Sequence, residues 1–152
     1  MKTILVVDDS EDVRNLIASI LATYGFTVWQ AADGATAVQM MSNDKPDMIL
    51  CDVNMPGMGG YETLAAVRES SSTVTIPFIL MTGLVSHDGF RRGMASGADD
   101  YLIKPFTPDE LIESVMSRFV RQSELQCDAV KRVHILHEYA ASHSFPELAG
   151  AS

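Results

Sequence analysis

Five polar residues stand immediately after short apolar runs: Asp8 and Asp9 after Ile4–Val7, Asp52 after Met48–Cys51, Thr82 after Phe78–Met81 and Lys104 after Tyr101–Ile103. Three carboxylates drawn into one crevice repel one another and raise each other's pKa unless a cation neutralises them. Hard oxygen ligands with no His or Cys nearby select Mg²⁺, which keeps several waters and favours sites it can share with a phosphate. Thr82 adds a hydroxyl donor, and Lys104 a flexible point charge able to reach a phosphoryl oxygen. Carboxylate nucleophile, metal, cation and hydrogen-bond donor are together the parts of a phosphoryl-transfer site.

For these residues to meet, the runs that precede them must be strands of one sheet. Apolar, β-rich runs at Ile4–Val7, Thr27–Ala31, Met48–Cys51, Phe78–Met81 and Tyr101–Ile103 alternate with amphipathic stretches. That alternation predicts an α/β fold, a doubly wound, five-stranded parallel sheet with helices on both faces. In an open sheet of order 2-1-3-4-5, ligands bind outside the carboxyl ends of the strands, where the order reverses between strands one and three. Neighbouring strands lie about 4.8 Å apart, which brings Asp8, Asp9 and Asp52 into one crevice.

The helices follow from spacing and caps. Val13, Leu16, Ile17, Ile20 and Leu21 are read as one buried face, opened by Ser10, Glu11 and Asp12 and stopped at Gly25. A second helix is expected over about Gly34 to Ser42, closed by Asn43-Asp44-Lys45-Pro46, and a third from about Tyr61 to Ser70. The fourth, between His87 and Ser96, has only Phe90 and Met94 to mark a face, and Gly93 weakens it. The fifth opens on the capping box Thr107-Pro108-Asp109-Glu110 and continues through Leu111, Ile112, Val115 and Phe119.

The 152 residues carry a formal charge of −9, are 47% hydrophobic and 20% charged, and so suit one globular domain with an appendage. No run of basic residues longer than a pair such as Lys131–Arg132 interrupts the acidic surplus, which argues against direct nucleic-acid binding. Cys51 and Cys127 have no disulfide or zinc spacing and read as free thiols in a reducing cytosol. The short apolar run after Met1-Lys2-Thr3 is neither signal peptide nor membrane span, so a cytoplasmic protein is expected. His87, His134, His137 and His143 lack carboxylate or Cys partners at ligand spacing and read as solvated helix residues.

The segments Ile4-Leu5-Val6-Val7-Asp8-Asp9, Asp52-Val53-Asn54-Met55-Pro56-Gly57-Met58-Gly59-Gly60, Met81-Thr82-Gly83 and Gly97 to Phe106 carry a resemblance. Over about residues 2–121 the chain resembles the CheY-like receiver domain of two-component response regulators, and no motif position departs from that pattern. The resemblance implies that Asp52 is phosphorylated by a histidine kinase or phosphotransfer protein. It implies that Asp9 is the main Mg²⁺ ligand, that Asp8 acts largely through water, and that Asn54 contributes its backbone carbonyl. Thr82 and Lys104 would grip the phosphoryl oxygens, while Tyr101 would turn inward as Thr82 moves, remodelling the face of fourth helix, fifth strand and fifth helix. Lys104–Pro105 matches the family's cis peptide. Without the resemblance, Tyr101 reads as plain core.

The domain expectation is a phospho-receiver over 1–121 and a helical tail or linker over 122–152. Ala129, Val130, Val133, Leu136 and Ala140 recur near helical spacing, so the tail is expected to serve self-association as a homodimer, to join an output domain, or to fold back. A signalling module acting through a downstream protein, stand-alone or at the front of a longer regulator, is the leading reading. A metal-dependent phosphatase or phosphotransferase would need a substrate pocket that the short loops leave little chain to build. A pseudo-receiver that binds partners without phosphorylation sits poorly with intact Asp52, Thr82 and Lys104.

Overall fold

A computed structural model describes residues 1–83, 91, 95 and 97–124. The chain separates into two compact units, Met1–Pro108 and Asp109–Ser152. The first holds β1 (Thr3–Val7), α1 (Glu11–Thr23), β2 (Thr27–Ala31), α2 (Gly34–Met40), β3 (Met48–Asp52), α3 (Gly60–Glu69), β4 (Phe78–Thr82) and β5 (Asp100–Ile103). The strands form one parallel sheet in the order β2-β1-β3-β4-β5, as the alternation predicts. The described residues of the second unit, 109–124, are helical throughout, with Leu111, Ile112, Val115 and Phe119 buried.

Burial follows position in the sheet. Every residue of the inner strands β3 and β4 is buried, and their sequences MILCD and FILMT are accordingly almost unbroken apolar runs. The edge strands β2 and β5 are only partly buried. Leu5, Val7, Ile49, Cys51, Phe78 and Leu80 from the sheet pack with Ala37 of α2, Met41 at its C-cap, and Leu64 and Val67 of α3 into one core. Cys51 thus packs in the third strand as expected.

The caps are local and legible. Ser10 accepts the Val13 N–H at 3.3 Å to open α1, and Asp33 accepts that of Thr36 at 2.7 Å to open α2. The backbone and side-chain hydrogen bonds from Thr36 hold the Asp33 carboxyl below its ordinary range. After α1 the chain turns at Gly25, whose φ of 90° is the left-handed conformation glycine allows.

One helical expectation is corrected. Leu16, read with the buried face of α1, is 61% exposed, whereas Ile17 and Leu21 are buried. Residues advance by about 100° per step in a helix, so Leu16 lies a full quadrant from Ile17, outside the stripe made by Val13, Ile17 and Leu21. Of the expected fourth helix only residues 91 and 95 are described, both helical; Phe90 and Met94, the tail stripe from Ala129, Cys127 and all four histidines lie outside the described residues.

Candidate functional site

The register of the sheet fixes where its polar strand ends meet. β1 pairs Val7 with Cys51 of β3, so Asp8 and Asp52 follow side by side at the carboxyl ends of two adjacent strands. Carboxylate oxygens of Asp8, Asp9 and Asp52 all lie within 4.8 Å of one another. Asp8 and Asp52 are buried, while Asp9 is exposed at the rim. Thr82 ends β4 and is buried, opposite Ile103 in the register, and its carbonyl accepts the Lys104 N–H at 2.8 Å. The cis Lys104–Pro105 peptide anticipated from the resemblance is present.

Lys104 joins these pieces. Its Nζ donates to Asp8 Oδ2 at 2.7 Å and lies 3.2 Å from Asp52 Oδ1. Asp8 Oδ1 accepts the Ser10 N–H at 2.9 Å, so both oxygens of Asp8 are engaged by the protein. Burial pushes the Asp52 carboxyl above its ordinary range; Lys104 opposes this, and the nearby charges of Asp8 and Asp9 reinforce it. Burial works against the charge on Lys104, yet its hydrogen bond to Asp8 and the charges of Asp52 and Asp8 leave its pKa raised.

The donor set is all oxygen, strongly negative and partly stripped of water, with one ammonium for counter-charge. Such a crevice suits a small hard divalent cation, whose charge would offset the burial and the repulsion that make Asp52 hard to ionise. Asn54 is exposed in the connection between β3 and α3, and with Pro56, Gly57 and Tyr61 it lines a shallow groove beside the crevice. Tyr101, on β5, is partly buried against the core, and its hydroxyl is hydrogen-bonded to that of Tyr61.

Residues 4–116 match the family described as "Response regulator receiver domain". The chain belongs to that family. It is 32% identical over 142 residues to the phosphate regulon transcriptional regulatory protein PhoB of Shigella flexneri, covering 93% of this chain and 62% of that protein. It is 37% identical over 123 residues to the transcriptional regulatory protein YrkP of Bacillus subtilis, covering 81% of this chain and 52% of that one. Among solved structures, the chemotaxis protein CheY4 of Vibrio cholerae superposes with a TM-score of 0.75 at 36% identity, over 77% of this chain and 98% of that one. The chain spans about half to three fifths of the length of the curated relatives it matches.

Three residues organise this receiver domain through contacts that carry no sequence signal. Arg14 donates from Nη1 to the Asp8 carbonyl at 2.7 Å and from Nε to Gln30 Oε1 at 3.2 Å, bracing the turn that carries the acidic pair. Arg68 donates to the carbonyls of Val74, Ile76 and Gly97 and forms an ion pair with Asp99 at 3.0 Å. Tyr61 meets Tyr101. Only an arginine's or tyrosine's helical position is visible in a sequence; which distant carbonyl or hydroxyl it reaches is set by the packed fold.

Among the described residues, no helix is long and apolar enough to cross a membrane.

Proposed function

We propose that this receiver domain accepts a phosphoryl group on Asp52 from a histidine kinase or phosphotransfer protein and passes the signal to a downstream protein or output domain. An oxygen of the Asp52 carboxylate attacks phosphorus of a phosphohistidine. A P–O bond forms, the P–N bond breaks, and the imidazole nitrogen leaves with the electron pair. Mg²⁺, held by Asp8, Asp9, Asp52 and the Asn54 carbonyl, would supply positive charge to the phosphoryl oxygens in transfer. The Lys104 ammonium moves from its carboxylate partners to an incoming oxygen, and the Thr82 hydroxyl donates to another. Asp8 and Asp9 orient the ligand shell rather than compete as acceptors.

The observation that carries this reading is the position of Lys104 Nζ, 2.7 Å from Asp8 and 3.2 Å from Asp52, beside three clustered carboxylates. A phosphoryl group adds charge and acceptor oxygens, which draws Thr82 toward Asp52 and frees space for the ring of Tyr101. Of the elements this would remodel, β5 with Tyr101 and the fifth helix are described, whereas the expected fourth helix is described only at residues 91 and 95. The net charge of −9 favours a protein partner over direct nucleic-acid contact, and the cytoplasm is where a histidine kinase would reach it. Incubation with acetyl phosphate and Mg²⁺, followed by intact mass, should show one added phosphoryl group on the parent and none on Asp52→Asn. Equal labelling of both would overturn the assignment.

A further inference from the structure

We infer that Tyr61 is a positioning residue for Tyr101, whose ring its hydroxyl holds against the core, coupling the phosphoacceptor loop to β5 through α3. Nothing in the receiver pattern read from the sequence gives Tyr61 a role. The inference rests on the proposed switch only for its signalling consequence.

Three sets of contacts carry it. Tyr61 lies in the first turn of α3, whose start is seated on the backbone next to Asp52: the Gly60 N–H donates to the Val53 carbonyl at 3.0 Å. A Cβ on Gly60 would stand 2.5 Å from the Asp52 carbonyl oxygen, so the helix start rides directly on the phosphoacceptor strand. Arg68 follows Tyr61 by nearly two helical turns, which puts both on one face of α3. There Arg68 fastens the helix to the segment leading into β5, with Nε and Nη2 donating to the Gly97 carbonyl at 3.0 and 2.8 Å and Nη2 to Asp99 Oδ2 at 3.0 Å. With both ends of α3 fixed in this way, the Tyr61 and Tyr101 hydroxyls meet, and both rings pack on the same core cluster as Cys51 and Leu80.

A shift of the loop over 53–59 therefore moves the Tyr61 hydroxyl relative to β5. While that hydroxyl is in place, the Tyr101 ring rests partly buried against the core before any phosphoryl group arrives.

The test uses the full chain carrying 3-fluorotyrosine, whose four tyrosines, Tyr24, Tyr61, Tyr101 and Tyr139, are assigned by single Tyr→Phe changes. Tyr24, 53% exposed, is the internal standard for a solvated ring. In free Tyr61→Phe, the solvent isotope shift of the Tyr101 fluorine should rise toward that of Tyr24. Loss of one neutral hydrogen bond corresponds to about a fivefold fall in the docked-to-released ratio. Beryllofluoride with Mg²⁺ should return it to the parent value. An unchanged Tyr101 shift in free Tyr61→Phe overturns the inference, even if that variant melts lower. If the ring is released in Tyr61→Phe but beryllofluoride moves it in neither protein, the holding role stands and the phosphorylation switch fails.

Discussion

Asp52 is the residue at which structure and chemistry pull in opposite directions. Its carboxyl is buried beside Asp8 and Asp9, and its pKa is raised above the ordinary 3.8 by burial, against the pull of Lys104. An acid whose folded pKa exceeds its unfolded one binds more protons folded than unfolded between the two values, so stability falls as pH rises through that window. The cost is complete above the folded pKa and fades as pH falls toward 3.8. Asp52→Asn should therefore stabilise the cation-free protein at neutral pH, by about 1 kcal/mol, because a poorly compensated buried charge is removed. The 2.7 Å bond from Lys104 to Asp8 does not involve Asp52 and should persist in that variant. Urea melts in EDTA at several pH values check this: the gap between variant and parent should close on acidification. A gap that is constant with pH would mean that Asp52 titrates alike in both states.

At the scale of elements, the seat of α3 on β3 is a constraint of backbone on backbone. Gly60 approaches so closely that a methyl group would meet the Asp52 carbonyl oxygen at 2.5 Å and Val53 Cα at 2.8 Å, both backbone atoms that cannot swing aside. Gly60→Ala should lower stability by about 2 kcal/mol, as overpacking against rigid backbone does. It should also slow labelling by acetyl phosphate, since the strain falls on the acceptor strand. An unchanged denaturation midpoint would show that α3 can lift off at no cost. This seat was not legible in the sequence, where Gly60 only ends the segment that follows Asp52 and the helix is expected from about Tyr61. The strands were legible because each is a short apolar run bounded by polar residues, and the crevice followed from what stands after them. Leu16 was misread because a count of apolar residues near helical spacing ignores the angular offset of each. Arg14, Tyr61 and Arg68 escaped because their partners, at Gln30, Tyr101 and Gly97, are distant in sequence and share no pattern with them.

For the molecule as a whole, the acidic surplus of −9 has a general and a local part, which different cations should separate. The general part is surface repulsion, which any salt screens over a Debye length of about 8 Å at physiological ionic strength. The local part is three carboxylates within 4.8 Å of one another, closer than that length and partly shielded from water, with Lys104 as counter-charge to two of them. Monovalent salt should barely reach this second part, whereas a divalent cation bound only by the folded chain stabilises it by mass action. At tenfold the dissociation constant the gain is about 1.4 kcal/mol, or roughly 4–6 °C in melting temperature for a domain of this size. Thermal melts in NaCl and MgCl₂ at matched ionic strength should therefore separate, with Mg²⁺ higher. Asp9→Ala should bring the two curves together. Lys104→Met leaves Asp8 and Asp52 without their shared ammonium, so it should melt lowest in NaCl and gain more from Mg²⁺ than the parent does. Coincident NaCl and MgCl₂ curves for the parent would show that the acidic crevice holds no divalent cation, and that its repulsion is met by Lys104 alone.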